Sequence, residues 1–363
     1  MIQKLKDVIS PFAFLSTVLF FIIAIIHSAT EYSRKFADFI NGSISHGFRM
    51  ALASVGEIFP FSLFEILILC LPIIISLVIY RAVRVFPDKI KRARFIINLF
   101  AIVLLVYSGH LLALGVGHNT TPIDKKMEIF EVEVTKERLE ETMADLIFEI
   151  NSLADSVPRD ARGVYISKYS FEELSSMYSA SYIDFASAYG LPRGYYSTAK
   201  AVLFSDAFSY LNIGGIYTYV TGEANVNTNP PDYVTTFTIA HELCHQRGIM
   251  RENEASFIAY ILTSTSEDAG VRYSGALNMY SYFASALYKT DKDSYYRLVA
   301  TLSETAKVDI RAANEVYYRF SDTIFQEISD YINDFYLTSS GSGGIVSYSR
   351  VVHLVLAYKY GEN

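Results

Sequence analysis

The segment TTFTIAHELCHQRGIMRENEASFIAY, residues 235–260, contains two histidines and a glutamate in the pattern HExxH. Its apolar residues recur at helical spacing, which predicts a helix, a turn and a second helix. On a helix, His241 and His245 leave the same face one turn apart. Two neutral imidazoles placed in this way can occupy two corners of a tetrahedral Zn²⁺ site. The pattern therefore predicts a zinc centre.

The glutamate of the motif, Glu242, stands beside the first histidine. Its carboxylate can reach a metal-bound water without being a ligand itself. Zinc lowers the pKa of such a water to about 7, and a carboxylate can take its proton as it attacks a carbonyl. We therefore predict that Glu242 is catalytic and that the chain is a zinc-dependent metallopeptidase acting on a peptide or protein.

A chance HExxH on a solvated helix face is the simpler interpretation of the motif. The chain has 7 histidines in 363 residues, and two of them fall at this spacing around a glutamate. Gly248 stands where a helix would end in a left-handed cap. Two acids and a second helical pattern follow it. This context favours the metal site.

The third ligand is predicted from packing. A catalytic zinc site usually has three protein ligands and leaves one position for water. Glu252 shares a helix face with small residues such as Ser256, which permit close packing on the metal-bearing helix, whereas Glu254 shares its face with Ile258. We choose Glu252 as the ligand that joins the two histidines, and Glu254 is the alternative. Either acid could also serve only as favourable charge at a helix N-terminus.

Three apolar segments precede this region, at residues 12–29, 63–80 and 95–116. Each approaches the roughly 20 residues that a spanning helix needs. No small-x-small cleavage site follows the first segment, which favours an uncleaved anchor over a signal peptide. We therefore expect residues 1–118 to form a membrane anchor with three transmembrane helices.

Loop charges predict the orientation in the cell membrane. The short link between the second and third segments carries six bases: Arg81, Arg84, Lys89, Lys91, Arg92 and Arg94. The longer link between the first two segments carries three. By the positive-inside rule the six-base link is cytoplasmic. We therefore expect a multi-pass protein whose residues 119–363 form an extracytoplasmic domain.

That C-terminal region has the composition of a globular domain large enough for one core. Helical spacing begins after Thr135, and Ser170 with Glu173 forms a capping-box pattern ahead of a second helix. Beyond residue 232 the pattern is almost wholly helical to about residue 336. Extended segments are expected at residues 130–134, 163–167, 200–204 and 215–220. Strands followed by helices predict an α+β fold with a small sheet and a mostly helical remainder.

Charge and cysteine content exclude other classes of protein. The net charge of −7 gives no electrostatic basis for binding nucleic acid. The two cysteines, Cys70 and Cys244, imply no disulfide framework. The expected partners are the peptide or protein substrate and the lipid bilayer, and the sequence leaves the oligomeric state open.

The residues AHELCHQRG, followed by ENEASFIAY, resemble the signature of an uncharacterised bacterial membrane family of zincin-like predicted metallopeptidases (DUF3810-like). The resemblance extends upstream through GIYTYVTGEANVN and over the apolar segments. Glu252-x-x-Ala255 is also similar to the ExxA element that supplies the glutamate ligand in gluzincin peptidases. The resemblance implies a zincin-like domain with Glu252 as a ligand, and it implies no particular substrate.

The alternative function is a non-catalytic zinc-binding membrane protein, a degenerate peptidase that acts as a sensor or partner-binding module. A structural zinc site is closed by four ligands, commonly cysteines. The sequence has no suitably placed fourth Cys or His, and Glu242 is retained. Both observations favour an enzyme. The polar residues Asp232 and Arg247 beside the motif disfavour a metal helix that itself crosses the bilayer.

Overall fold

Three helices in the N-terminal part of the chain are long and apolar enough to cross a membrane. They span Pro11–Tyr32, Leu63–Val85 and Lys89–His118, which confirms the three segments expected from hydropathy. A capping side chain precedes each helix: Ser10, Ser62 and Asp88. These helices place the chain among membrane proteins.

The computed structural model describes residues 8–194, 197–321, 323, 326, 327, 329, 331 and 350–361. Its N-terminal helices are α1 Pro11–Tyr32, α2 Arg34–Gly42, α3 Ile44–Glu57, α4 Leu63–Val85, α5 Lys89–His110, α6 Val116–His118 and α7 Ile123–Lys126. A π-helical segment, Leu111–Gly115, joins α5 to α6 within the third span.

The later helices carry most of the remaining chain. They are α8 Lys136–Ala154, α9 Phe171–Tyr189, α10 Ser205–Tyr210, α11 Asp232–Gln246, α12 Glu252–Ser264, α13 Ala269–Thr290, α14 Lys292–Val299, α15 Glu304–Phe320 and α16 Arg350–Tyr360. The end of the helical pattern predicted near residue 336 lies outside the described residues. The fold is mostly helical, as expected.

A three-stranded sheet accompanies the helices, with strands β1 Lys200–Ala201, β2 Gly215–Thr218 and β3 Glu223–Val226 in the order β1-β3-β2. β3 is parallel to β1 and antiparallel to β2. The order leaves β2 at an edge. The extended segments expected at 200–204 and 215–220 are thus confirmed in part, as shorter strands.

Two other expected strands are wrong. Residues 130–134 pack Val132 and Val134 against the core, but they pair with no strand in the described part of the chain. Residues 163–167 make one isolated bridge, between Arg159 and Tyr165. Alternation of apolar and polar side chains indicates only that one side of a segment is buried. A strand also needs a neighbouring strand to form hydrogen bonds with.

Local helix signals were more informative. Thr135 caps α8 by accepting a hydrogen bond from the backbone N–H of Arg138. Ser170 and Glu173 form the predicted capping box of α9, which ends at Gly190 in the left-handed conformation, with φ +63°. These features were predictable because each depends on a few neighbouring residues.

The link between the first two spans packs against the C-terminal region. Asn41 in α2 donates from its side chain to the carbonyl of Gly248 at 3.2 Å. Glu57 at the end of α3 accepts from the backbone N–H of Thr198 at 2.8 Å. The two predicted domains, 1–118 and 119–363, therefore share hydrogen bonds.

One hydrophobic core holds α8, α11, α12 and α13 together. Met143, Phe257, Leu277 and Phe283 are fully buried in it. This core fixes α11 and α12 relative to each other, and these are the two helices that carry the predicted metal ligands.

Candidate metal centre

Helix α11 presents its two histidines from a buried platform. Ile239, Ala240, Leu243 and Cys244 are buried on the other faces of the helix. Cys244 is thus a small core residue. With its apolar faces packed in this way, α11 holds the HExxH side chains on a rigid element.

The turn after α11 depends on Gly248, whose φ is +95°. The Gly248 N–H donates to the carbonyl of His245 at 2.9 Å, and the Ile249 N–H donates to that of Cys244 at 3.1 Å. The left-handed conformation predicted for this glycine is confirmed. It lets the chain reverse within a few residues, so that α12 begins beside the end of α11.

The reversal brings His241, His245 and Glu252 together. The Nε2 atoms of the two histidines lie 3.0 Å apart. Glu252 places Oε2 3.1 Å from His241 Nε2 and Oε1 3.4 Å from His245 Nε2. The ligand atoms of the three residues all lie within 4.8 Å of one another. The three predicted ligands thus form one cluster.

The outer ring nitrogens have partners of their own. His245 Nδ1 lies 2.7 Å from the carbonyl oxygen of Ile249, so it carries the proton and donates it. His241 Nδ1 lies 3.2 Å from Ser256 Oγ, which also lies 3.5 Å from the hydroxyl of Tyr282. With each Nδ1 facing one of these partners, the two Nε2 atoms are directed at the centre of the cluster. Partners of this kind orient ligating histidines in metal sites.

Electrostatics couples the three groups. Burial is the largest single effect and lowers the pKa of His245, but the Glu252 and Glu242 carboxylates and the Ile249 carbonyl together raise that pKa to about 9. Burial opposes ionisation of Glu252, yet the neighbouring imidazoles hold its pKa well below its usual range. The cluster is therefore built around an ionised carboxylate that favours positive charge at its centre.

The donor set and its spacing fit a zinc ion. At zinc–ligand distances of about 2.0–2.1 Å, two ligand atoms of a tetrahedral site lie about 3.3 Å apart. The three short distances within the cluster run from 3.0 to 3.4 Å. Two imidazoles and one carboxylate are a common donor set of catalytic zinc. In the described part of the chain no fourth His, Cys, Asp or Glu joins the group.

Glu242 lies next to the cluster and is buried. Burial raises the pKa of its carboxyl group. The backbone of Tyr217 in β2 acts in the opposite direction and lowers that pKa, and Oε2 has no hydrogen-bond partner among the described residues. Gly215 makes the approach possible, because a β-carbon there would lie 2.7 Å from both Cγ and Oε1 of Glu242. The edge strand and the HExxH glutamate are thus in direct contact.

Glu254, the alternative third ligand, lies elsewhere. Its Oε1 accepts from the backbone N–H of Ile123 at 3.0 Å and from Arg251 Nη1 at 2.8 Å. Arg251 in turn donates to the carbonyl of His118 at 2.7 Å. Glu254 therefore ties the turn before α12 to the start of α7 and takes no part in the cluster.

Sequence reasoning missed the residues that support the cluster. The position of Ser256 on the Glu252 face was a usable signal, because residues i and i+4 share a helix face. Tyr282 on α13 and the carbonyl of Ile249 gave no such signal. Arg247 is buried and donates to Ser179 Oγ and to the carbonyl of Leu243.

Comparison with known proteins gives one match. A family model described as a protein of unknown function (DUF3810) matches residues 40–356, which is more than half of the chain. No curated protein and no solved structure matches the chain. The matched residues include the second and third spans and the whole metal centre.

Proposed function

The chain belongs to the DUF3810 family of proteins of unknown function, and from the geometry of its own site we propose that it is a membrane-anchored zinc metallopeptidase. One observation carries the proposal. His241, His245 and Glu252 converge at distances suited to tetrahedral zinc, with the carboxylate of Glu242 beside them.

The three ligands would leave one coordination position open. A zinc ion held by them would lower the pKa of a bound water to about 7 and polarise a substrate carbonyl. Glu242 is the group of this chain suited to accept a proton from the attacking water and to return it to the leaving amine nitrogen. Gly215 in β2 lies against that carboxylate.

β2 supplies a surface for the substrate. It is the edge strand of the sheet, and its first residue, Gly215, lies against Glu242. An extended peptide can add to such an edge through main-chain hydrogen bonds. A metal helix packed beside an edge strand supports the zincin-like assignment of this domain, which remains part of the proposal.

The proposed location of the centre is outside the cytoplasm. The six bases lie in the last turns of α4 and the first turns of α5, at the opposite end of the third span from the turn that carries Gly248. Because translocation of six bases in a short loop is disfavoured, the metal centre would face away from the cytoplasm.

The test uses the full-length chain purified in detergent and loaded with zinc. Wild type should hold close to one equivalent of zinc and cut members of a mixed peptide library, as followed by mass spectrometry. His241→Ala should lose most of the metal. Glu242→Gln should keep the metal and lose about 10²–10⁴-fold in rate, the range for loss of a general base.

Two outcomes would contradict the proposal in different ways. Unchanged zinc content in His241→Ala and in a matching His245→Ala variant would remove the metal centre. Zinc binding by wild type, with no cleavage beyond that of Glu242→Gln, would favour the non-catalytic zinc-binding protein.

A further inference from the structure

β2 connects the metal centre to the outer part of the third span. Gly215, the first residue of the strand, lies against Glu242. Tyr219, one residue beyond the other end, covers Gly109 and meets His110 edge to face with ring centroids 5.5 Å apart. The strand therefore runs from the catalytic carboxylate towards the membrane.

The end of the lipid-exposed surface marks the level of the bilayer boundary. On the third span, exposed large apolar side chains continue as far as Tyr107, and residues 111–114 are buried in the protein. Tyr107 stacks on His110 with ring centroids 5.7 Å apart. Aromatic residues of this kind concentrate at membrane interfaces, so the boundary lies close to Tyr107 and Tyr219.

Contacts of the second span place the bilayer boundary at the same height. Glu223, which pairs with Thr218 across the β2–β3 hairpin, accepts hydrogen bonds from the backbone N–H groups of Leu63 and Phe64, both at 3.0 Å. These are the first two residues of α4. The hairpin turn is thus held against the outer end of one span while Tyr219 lies on another.

The distance from the metal centre to the boundary is short. A strand advances about 3.3 Å per residue, so Tyr217 and Tyr219 are separated by about 7 Å along the chain. An extended substrate lying along β2, with its scissile bond near Glu242, would reach the boundary within about four residues.

A groove continues this path into the membrane. It has a volume of about 390 Å³ and is lined by Ile102, Val103, Val106, Tyr107, His110 and Tyr219. Its lining is largely apolar, and Tyr219, which lines it, directly follows the last residue of β2. Because Tyr219 joins this groove to the end of β2, an occupant that extends from one to the other is favoured over a separate lipid molecule.

We infer that the substrate of this centre is a membrane-anchored polypeptide, whose apolar anchor lies in the groove and whose chain is cut a few residues outside the bilayer. The inference rests on the proposed peptidase function and adds the substrate class. A soluble peptide can reach the same strand edge, but it leaves the groove unused.

The experiment uses the full-length chain, loaded with zinc, in phosphatidylcholine–phosphatidylglycerol vesicles. Three probes carry the same randomised extramembrane segment. In the first the segment is a free soluble peptide, and in the second it is attached to a lipid through a long flexible linker. In the third it is fused to a leucine-rich helix of about 20 residues. The helix-fused probe should be cut about tenfold faster than the soluble one, because anchoring raises its effective concentration. Its cuts should cluster about three to six residues from the helix. The lipid-tethered probe should show no such clustering.

Two variants of the third span test the groove. Val103→Trp fills it and should slow cleavage of the helix-fused probe severalfold without changing cleavage of the soluble probe. Ile96→Trp is the matched control, because Ile96 is 57% exposed on the same helix face, two turns away, against 56% for Val103. This control should change neither rate.

The outcomes separate the inference from the proposed function. Equal rates and scattered cuts for all probes would overturn the inference, leave the peptidase in place and assign the groove to lipid. Equal slowing of both probes by Val103→Trp would overturn it as well. Cleavage of no probe beyond the level of Glu242→Gln would overturn the peptidase proposal itself.

Discussion

Arg49 and Gly248 are in direct contact, since a β-carbon at Gly248 would overlap the Arg49 guanidinium. Arg49 is fully buried and donates to the carbonyls of Asn41 at 3.0 Å and Ala113 at 3.1 Å. The turn between the two ligand-bearing helices therefore packs against the link between the first two spans.

This contact makes Gly248 a sensitive position. Gly248→Val should destabilise the protein and lower its zinc content, because it adds the cost of a left-handed β-branched residue to an overlap with Arg49. Gly190→Val is the control, since Gly190 also has a positive φ but has open space around its Cα. The control should cost only the conformational part, about 1–2 kcal/mol.

Thermal unfolding and bound zinc should be measured for both glycine variants. Equal losses of stability, with zinc retained by both, would mean that the Arg49 contact does not support the centre.

Glu252 and Glu254, the two acids at the start of α12, should respond differently to substitution. Glu252→Ala should lose most of the bound zinc, because it removes a donor and the charge that neutralises the ion. Glu254→Ala should keep the zinc and instead lose about 1–3 kcal/mol of stability, since it leaves the buried N–H of Ile123 without its acceptor. Zinc titration and thermal unfolding of both variants distinguish these effects. Zinc loss confined to Glu254→Ala would exchange the two roles.

Ser256 should tune the centre without binding the ion. Removal of its hydroxyl in Ser256→Ala frees the Nδ1 side of His241, which should lower zinc affinity by about tenfold, the usual effect of losing an outer-shell partner. Ser264→Ala is the control on the same helix, where the hydroxyl bonds the carbonyl of Ile261. A chelator competition assay gives both affinities, and equal values would remove Ser256 from the centre.

Acid sensitivity should depend in part on Asp291, the cap of α14. A hydrogen bond from Lys136 and one from the Ser294 backbone N–H lower the pKa of Asp291 from 3.8 to about 2. Because the folded pKa is the lower one, this stabilisation is present above pH 3.8 and is lost as the pH falls towards 2.

Asp291→Asn should therefore lower the unfolding temperature near neutral pH, and the difference from wild type should shrink below pH 3.8. Asp293→Asn, on the first turn of the same helix, should show no such convergence. Unfolding curves recorded between pH 7 and pH 2 provide the comparison, and a constant difference would contradict the linkage.

The parts of the centre that the sequence predicted are those governed by neighbouring residues. The HExxH spacing puts two imidazoles on one face, and the conformation of Gly248 follows from the need to end one helix and start another. The placement of Glu252 on the small-residue face of α12 led to the cluster that the structure shows. Each of these features involves residues within a few turns of one another.

What could not be predicted depends on distant contacts. β3 has the polar sequence Glu-Ala-Asn-Val, and its Glu223 and Asn225 are buried because α4 and Ser62 supply their hydrogen-bond partners. Residues 130–134 have the alternation of a strand but no neighbour to pair with. In the sequence Arg49 resembles an ordinary basic residue of a loop. Its burial follows from packing against Gly248, which lies about two hundred residues later in the sequence.

The contact between the Gly248 turn and the N-terminal helices also constrains the order in which the protein inserts, folds and binds zinc. Gly248 and Met250 rest on Asn41, Arg49 and Gly117, which belong to the first link and to the end of the third span. These residues reach their positions beside Gly248 only after the N-terminal helices have entered the bilayer and packed together. Zinc loading should consequently be a late event in biogenesis, completed after membrane insertion, and a chain released before that step would carry an unassembled centre.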